Sequence, residues 1–421
     1  MKSLVVKYND QVIGRLWQNE YGRMSFQYDN HWLMEGFAVS ISLPLQQEIF
    51  SEQQCRPFFE GLLPEGEIRN EIARNLRVSV KNDFALLREI GGDCAGAITI
   101  GESKEKSLNA HNELLEGEKL IEALKPLNGK PLLAGEKDVR LSIAGSQRKL
   151  PVIYENGDFF IPHGDIPTTF IIKPEIAGIE GSVDNELYCL ALARKIKLAT
   201  PNFDGLQLPE LIKTNGNVTT VRKKYLLLER YDRKIENGKV ARLHQEDLCQ
   251  AIGVPSENKY QKDGGPSFKD LFTIIKNHSS QPALDTRSSI RIALFNYLIG
   301  NADAHGKNFS FLFTKNSVTL APFYDLLSTE IYPNLSTKMA MKIGGEYKPD
   351  DIFRRHWHRF AEENSINQKL MDKEIDYVSK AVSKWYKHTA QQLYWNQQLY
   401  PKVINEIIKL IEKKLKLLER G

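Results

Sequence analysis

Asn301 to Ser310 reads NADAHGKNFS, setting an Asp, a His, a Lys and two Asn between the apolar runs ALFNYLIG and FSFLF. A carboxylate such as Asp303 can orient a hydroxyl or accept its proton, and Asn308, five residues on, offers a carbonyl oxygen to a hard cation. Asp325 follows 17 residues after Asn308, beyond two β-runs joined through Lys315-Asn316-Ser317, a hairpin signal. A hairpin returns its far end to its start, so the pattern predicts Asp303, Asn308 and Asp325 around one Mg2+–phosphate cluster. Phosphoryl transfer needs that set: one Asp orienting the attacking hydroxyl, and an Asn with a second Asp holding magnesium. Two other readings stay open. Asp303, His305 and Asp325 form a mixed His/Asp set of the kind that binds Zn, Fe or Mn in a metallohydrolase. Taken singly, each polar residue could also be a cap or a hydrogen-bond anchor.

The rest of a kinase set lies upstream in the order a kinase requires. RLSIAGSQRK offers a turn in which Gly145 stands between small residues, so that backbone N–H groups can approach phosphate. FIIKP ends an apolar strand on Lys173, and LLLERYDR runs into Glu229-Arg230-Tyr231, a suitable hinge. Glu186, early in the helix after Lys173, could pair with that lysine, although a first-turn Glu also suits the helix dipole. D-A-H-G-K-N resembles the D-R-H-x-x-N loop of phosphoinositide-kinase-like enzymes more than H-R-D-x-x-x-x-N. FYD stands in the place of DFG, with Leu326 where glycine would follow.

These residues need elements to hold them. Residues 1–45 alternate in short apolar and polar steps and predict a small antiparallel sheet. Helical spacing begins at Ser51, a suitable N-cap, with interruptions at Pro64 and Gly66, and a further helix is expected over 82–90. GGDCAGAITI turns into a strand. The polar stretch 101–138, with a short helix at 114–125, is the expected boundary between an N-terminal module and the remainder. Strands then return in VRLSIAGSQRKLPVIY, DFFIPH, TTFIIKP and YLLLERYDR around one helix, SVDNELYCLALARKI, and helices dominate after Leu243.

Composition fits a globular protein with a substantial core: 421 residues, 41% hydrophobic, with a formal charge of +4 that gives little argument for direct DNA binding. Cys55, Cys94, Cys189 and Cys249 show neither zinc-ligand spacing nor a disulfide framework, and are expected to be reduced and buried. No apolar run approaches the roughly 18 residues of a membrane span. A cytoplasmic protein is expected.

With these residues in place, the sequence resembles the HipA family, the kinase toxins of bacterial toxin–antitoxin pairs. FFEGLLPEGEIRNEIA and LLREIGGDCAGAITI resemble its N-terminal module; SIAGSQRK, TTFIIKP, VDNELYCL, ERYDR, QEDLCQAIG, KYQKDGGP, NADAHGKNFS and LAPFYDL resemble its kinase core. The resemblance implies an α+β, two-lobed kinase-like fold: an N-terminal module over 1–105, a β-rich lobe over 138–231 and a mainly helical lobe over 232–421. It implies a protein-serine/threonine kinase using ATP and Mg2+, with Asp303 catalytic and Asn308 and Asp325 on the metal. The implied ATP contacts are Ala144, Gly145, Ser146, Gln147, Arg148, Lys149, Lys173, Glu229, Arg230, Tyr231, His305, Gly306, Lys307 and Tyr324. Ser142 falls where the family carries an autophosphorylated serine, whose modification would expel the turn. The chain reads AGSQ where the family usually has AGAQ, so Ser146 is a second acceptor. The implied partners are a HipB-like helix-turn-helix antitoxin, operator DNA mainly through that antitoxin, and an aminoacyl-tRNA synthetase as substrate. The alternative is a catalytically silent HipA-like co-repressor acting with the antitoxin.

Overall fold

The structure is a computed structural model and describes all residues except 1, 103–109, 125–130, 215–216, 237, 315–316, 398–399 and 421. The chain forms two compact units: residues 1–177, 204–256 and 312–316 make the first, and 178–203, 257–311 and 317–421 the second.

In the first unit, Met24–Tyr28, Gln11–Gln18, Lys2–Tyr8 and Ile98–Gly101 form an antiparallel sheet in that order. The alternation seen in the sequence puts Leu4, Val6, Leu16 and Phe26 into the core. FAVSISLPL, expected as a further strand, is instead an irregular segment after the short helix Asn30–Glu35. Its serines explain why: Ser40 Oγ donates to Glu246 Oε2 (2.5 Å), Ser42 Oγ to the Gln250 carbonyl (2.7 Å), and the Ile41 N–H to Glu246 Oε1 (2.9 Å). The Glu246 carboxyl and the Ser42 hydroxyl thus bond backbone groups that a sheet would otherwise pair. Glu52–Glu60 starts at Ser51 in a capping box, and Gly66–Asn75 and Asp83–Ile90 follow.

The second sheet of this unit runs His111–Leu115, Asp158–His163, Leu150–Glu155, Phe170–Pro174, Asn217–Glu229 and Phe203–Thr214. Sequence reasoning missed its first strand in a stretch it took for a boundary, and it extended a strand over 139–149, which is mostly loop. Lys173 pairs in register with Leu226, and Glu229 with Phe170.

A buried ion cluster ties the N-terminal segment to this sheet. Asp93 accepts from Arg230 (2.9 Å), Arg233 (2.8 Å) and Arg242 (3.2 Å), and from Thr168 Oγ1 (2.6 Å). Burial alone would raise the Asp93 carboxyl, but the three guanidinium groups and Thr168 hold it well below the usual carboxylate range.

The second unit packs helices Ser182–Lys195, Phe268–His278, Pro282–Ile299, Arg354–Glu363, Gln368–Gln397 and Pro401–Glu419. Their core centres on Trp357 and Tyr297, fully buried with ring centroids 5.7 Å apart. The helix Pro282–Ile299 ends on Gly300 at φ 70°, where an added Cβ would lie 2.3 Å from Leu410 Cδ2.

Asp93→Ala removes the carboxylate shared by three buried guanidinium groups, leaving Arg230 and Arg233 only Asp232 and Arg242 no carboxylate, and should cost about 3–5 kcal/mol, measured by denaturant unfolding; a loss under about 1 kcal/mol would deny the cluster its role. Glu246 is raised to about 8, chiefly by burial. A raised folded-state value gives stability that is complete below the unfolded carboxyl value and is lost as pH rises toward 8. Glu246→Gln removes the charge and keeps one acceptor for the Ile41 N–H, so its melting temperature should gain on the wild type between pH 5 and pH 8; a difference that does not change with pH would contradict this.

Candidate active site

The acidic loop begins where Gly300 stops its helix. The Asn301 amide donates to Asn296 Oδ1 (3.1 Å) and to the Asp325 carbonyl (3.2 Å), while its oxygen accepts the Asp303 N–H (3.3 Å). One side chain therefore braces the backbone of both acidic residues. Asp303 is exposed, whereas Asn301, Ala302 and residues 304–307 are buried. Tyr260 Oη donates to Asp303 Oδ1 at 2.7 Å.

Asn308 and Asp325 are brought together, with Asn308 Nδ2 3.4 Å from Asp325 Oδ2. Asn308 Oδ1 accepts the His305 N–H at 3.1 Å, which leaves one carbonyl lone pair. Asp325 sits at φ 53°, a left-handed conformation that Asp tolerates better than most residues. The strands Ser310–Thr314 and Ser317–Leu320 lie side by side as the hairpin signal anticipates, although Lys315 and Asn316 of its turn fall outside the described residues. Past Asp325, Asn185 pins the chain: its amide donates to the Ser328 carbonyl (2.8 Å) and its oxygen accepts the Ser328 N–H (2.7 Å). Sequence reasoning weighed Glu186 in that helix and overlooked Asn185. Flanked by Asp184 and Glu186, it gave no local signal of that role.

His305 and Lys307 are buried, and the Gly306 N–H donates to the Lys259 carbonyl at 3.2 Å. The Tyr324 hydroxyl donates to the Lys307 carbonyl (2.6 Å), so Ser310 Oγ must donate to it (2.7 Å). As a nucleotide contact Tyr324 therefore has no hydroxyl proton to give; that group holds the loop.

Oxygen donors from one amide and one carboxylate fit Mg2+, which takes one or two carboxylates together with water and substrate phosphate. The metallohydrolase set does not form: among the described residues no three His, Cys, Asp or Glu side chains are grouped to hold a metal.

In the first unit, the turn 144–149 leans on the N-terminal helices. Gly145 adopts φ 106°, its carbonyl accepts the Glu65 N–H (3.1 Å), and Arg148 Nη2 meets both Glu71 oxygens (2.7 and 2.5 Å). Lys149 Nζ donates to the Ala144 carbonyl at 2.8 Å. Gly145, Gln147, Arg148 and Lys149 line a cleft of about 550 Å³ with Pro174 and Ile68. Ser142 is fully buried and donates to the Leu62 carbonyl (2.8 Å), whereas Ser146 is exposed. Lys173 is buried in its strand, and Glu186 is buried in a helix of the other unit.

At Arg230 all five side-chain N–H donors are engaged, by Asp93, Thr168, both oxygens of Asp232 and the Cys94 carbonyl. Its side chain anchors the fold and has no N–H left over for a ligand. The sequence signal was positional only, since nothing in ERYDR distinguishes a buried arginine from a hinge arginine.

Comparison with known proteins gives concordant results. Residues 4–101 match the HipA N-terminal domain family, and residues 141–385 match the HipA-like C-terminal domain family. A Sinorhizobium fredii protein named "Putative kinase Y4mE" is 38% identical over 403 residues, covering 93% of each chain. The serine/threonine-protein kinase toxin HipA of Shewanella oneidensis is 29% identical over 394 residues, covering 90% of this chain and 87% of its own. A solved structure of the Shewanella oneidensis toxin–antitoxin system, with HipA, HipB and operator DNA, superposes with a TM-score of 0.82 at 27% identity, over 99% of this chain and 97% of that one.

Proposed function

From the premise that the chain belongs to the HipA family of kinases, we propose that it is an ATP- and Mg2+-dependent protein-serine/threonine kinase and the toxin of a toxin–antitoxin pair. The observation that carries this reading is the loop itself: Asp303 is exposed between buried neighbours, and the Asn308 amide lies 3.4 Å from the Asp325 carboxylate. Asp303 would orient the acceptor hydroxyl and receive its proton. Asn308 Oδ1 and the Asp325 carboxylate would hold magnesium, which when bound neutralises phosphate oxygens. Lys307 and His305 would contact the nucleotide.

The acceptor, by the same reading, is a serine of an aminoacyl-tRNA synthetase, and the partner a HipB-like antitoxin that carries the chain to operator DNA. The Shewanella oneidensis complex supports the partner by analogy. No helix among the described residues is long and apolar enough to cross a membrane.

Self-modification is part of the proposal. Ser146 is exposed as the turn stands, whereas Ser142 must first leave its place under Leu62. A phosphate dianion is too costly to bury there, so modified Ser142 would hold the turn outward.

Incubation of the purified chain with ATP and Mg2+, followed by peptide mass spectrometry, should find phosphate on Ser142 or Ser146. Asp303→Asn should lower the labelling rate by about 10²–10⁴-fold, the usual contribution of a positioned acid–base group. Labelling at the wild-type rate in that variant would remove Asp303 from the chemistry. Asn308→Ala and Asp325→Asn should each raise the Mg2+ concentration needed for half-maximal rate; an unchanged Mg2+ dependence would move the metal elsewhere. If the chain labels neither itself nor any extract protein, yet binds operator DNA with an antitoxin, the silent co-repressor is the correct reading.

A further inference from the structure

The segment KYQKDGGP, residues 259–266, meets the acidic loop through the Tyr260 hydroxyl. Resting on the kinase reading above, we propose that Tyr260 is a positioning residue for Asp303, selecting which carboxylate oxygen faces the acceptor hydroxyl.

Tyr260 Oη donates to Asp303 Oδ1 at 2.7 Å, while Oδ2 takes no hydrogen bond from any described residue. A carboxylate held by one oxygen loses rotation about its terminal torsion and presents the other in a fixed direction. In the transfer step the acceptor oxygen bonds to the γ-phosphorus, and the bond from that phosphorus to the bridging oxygen breaks with its electron pair remaining on ADP. The acceptor proton passes to Asp303 Oδ2. Donation from a neutral phenol also withdraws charge from the carboxylate, which suits a loose transition state where aim counts for more than basicity.

The hydroxyl is placed by backbone and not by one flexible side chain. The Lys259 carbonyl accepts the Gly306 N–H (3.2 Å), the Gln261 N–H donates to the Ala340 carbonyl (3.2 Å), and the Ala340 N–H donates to the Ala302 carbonyl (2.8 Å). These bonds close a ring through the segments on either side of Asp303. The DGGP turn completes it: the N–H groups of Asp263 and Gly265 both donate to the Tyr260 carbonyl at 3.0 Å. A Cβ on Gly265 would lie 1.9 Å from the Asn258 carbonyl oxygen, so only glycine lets the chain return this closely. The Tyr260 ring stands edge-on to His305, with centroids 5.3 Å apart and an 84° interplanar angle, and the ammonium groups of Lys259 and Lys262 each lie 5.7 Å from its centroid.

Tyr260→Phe keeps the ring, the His305 contact and both cation contacts, and removes only the hydroxyl. The test uses the full chain with ATP and Mg2+, following self-labelling and phosphate release to water at a series of ATP concentrations. The expected result is a fall in the saturated labelling rate of about tenfold or more, as for loss of a hydrogen bond to a charged group. The ATP concentration for half-maximal rate should stay within about twofold, the melting temperature should not change, and release to water should rise relative to transfer because the acceptor is misaimed. A wild-type labelling rate would overturn the proposal. So would a slower rate accompanied by a matching rise in the ATP requirement or a lowered melting temperature, since either assigns Tyr260 a purely structural part. Wild-type chain that neither labels itself nor releases phosphate refutes the kinase reading itself, and this proposal with it.

Discussion

The constraint on which the site depends is the satisfaction of backbone polar groups in a loop buried almost everywhere except at Asp303. A buried N–H or C=O without a partner costs about 1–3 kcal/mol, so such a loop exists only if its neighbours supply the bonds. They do so from several directions. Thr329 Oγ1 accepts the Ala302 N–H, Asn301 Oδ1 that of Asp303, and the Lys259 carbonyl that of Gly306, while Tyr324 donates to the Lys307 carbonyl. Segments far apart in sequence thereby converge on ten residues, and the one carboxylate left exposed among them has a defined direction.

A comparable logic operates in the first unit at larger cost. Asp93, Asp232, Arg230, Arg233 and Arg242 are all buried, and the charges are tolerated because each guanidinium meets carboxylate or carbonyl oxygen. This cluster joins the segment after the N-terminal helices to the strand end at Glu229, and the turn 144–149 is bonded to Glu65 and Glu71 of those same helices. The N-terminal segment thus falls in the same compact unit as the strand that carries Lys173.

Much of this was legible in the sequence because it followed from spacing. The approach of Asn308 to Asp325 could be anticipated because a hairpin reverses the chain, and the helices after Leu243 announced themselves by their apolar period. What stayed hidden depended on partners distant in sequence. FAVSISLPL alternates like a strand, but its serines bond Glu246 and Gln250, some two hundred residues on. Arg230 read as a hinge residue because nothing local reveals Asp93. Asn185 and Tyr260 each act on a residue far along the chain, through side chains whose type alone suggests a cap or a surface position. His111–Leu115 is a strand because Asp158–His163 offers it an edge, and its own sequence has too little alternation to say so.

The most direct test of the central claim is a crystal structure of the chain with a non-hydrolysable ATP analogue and Mg2+. The account predicts metal at roughly 2.1 Å from Asn308 Oδ1 and an Asp325 carboxylate oxygen, with the γ-phosphate in front of Asp303 Oδ2. Nucleotide bound elsewhere, or magnesium that leaves Asn308 and Asp325 uncoordinated, would contradict it.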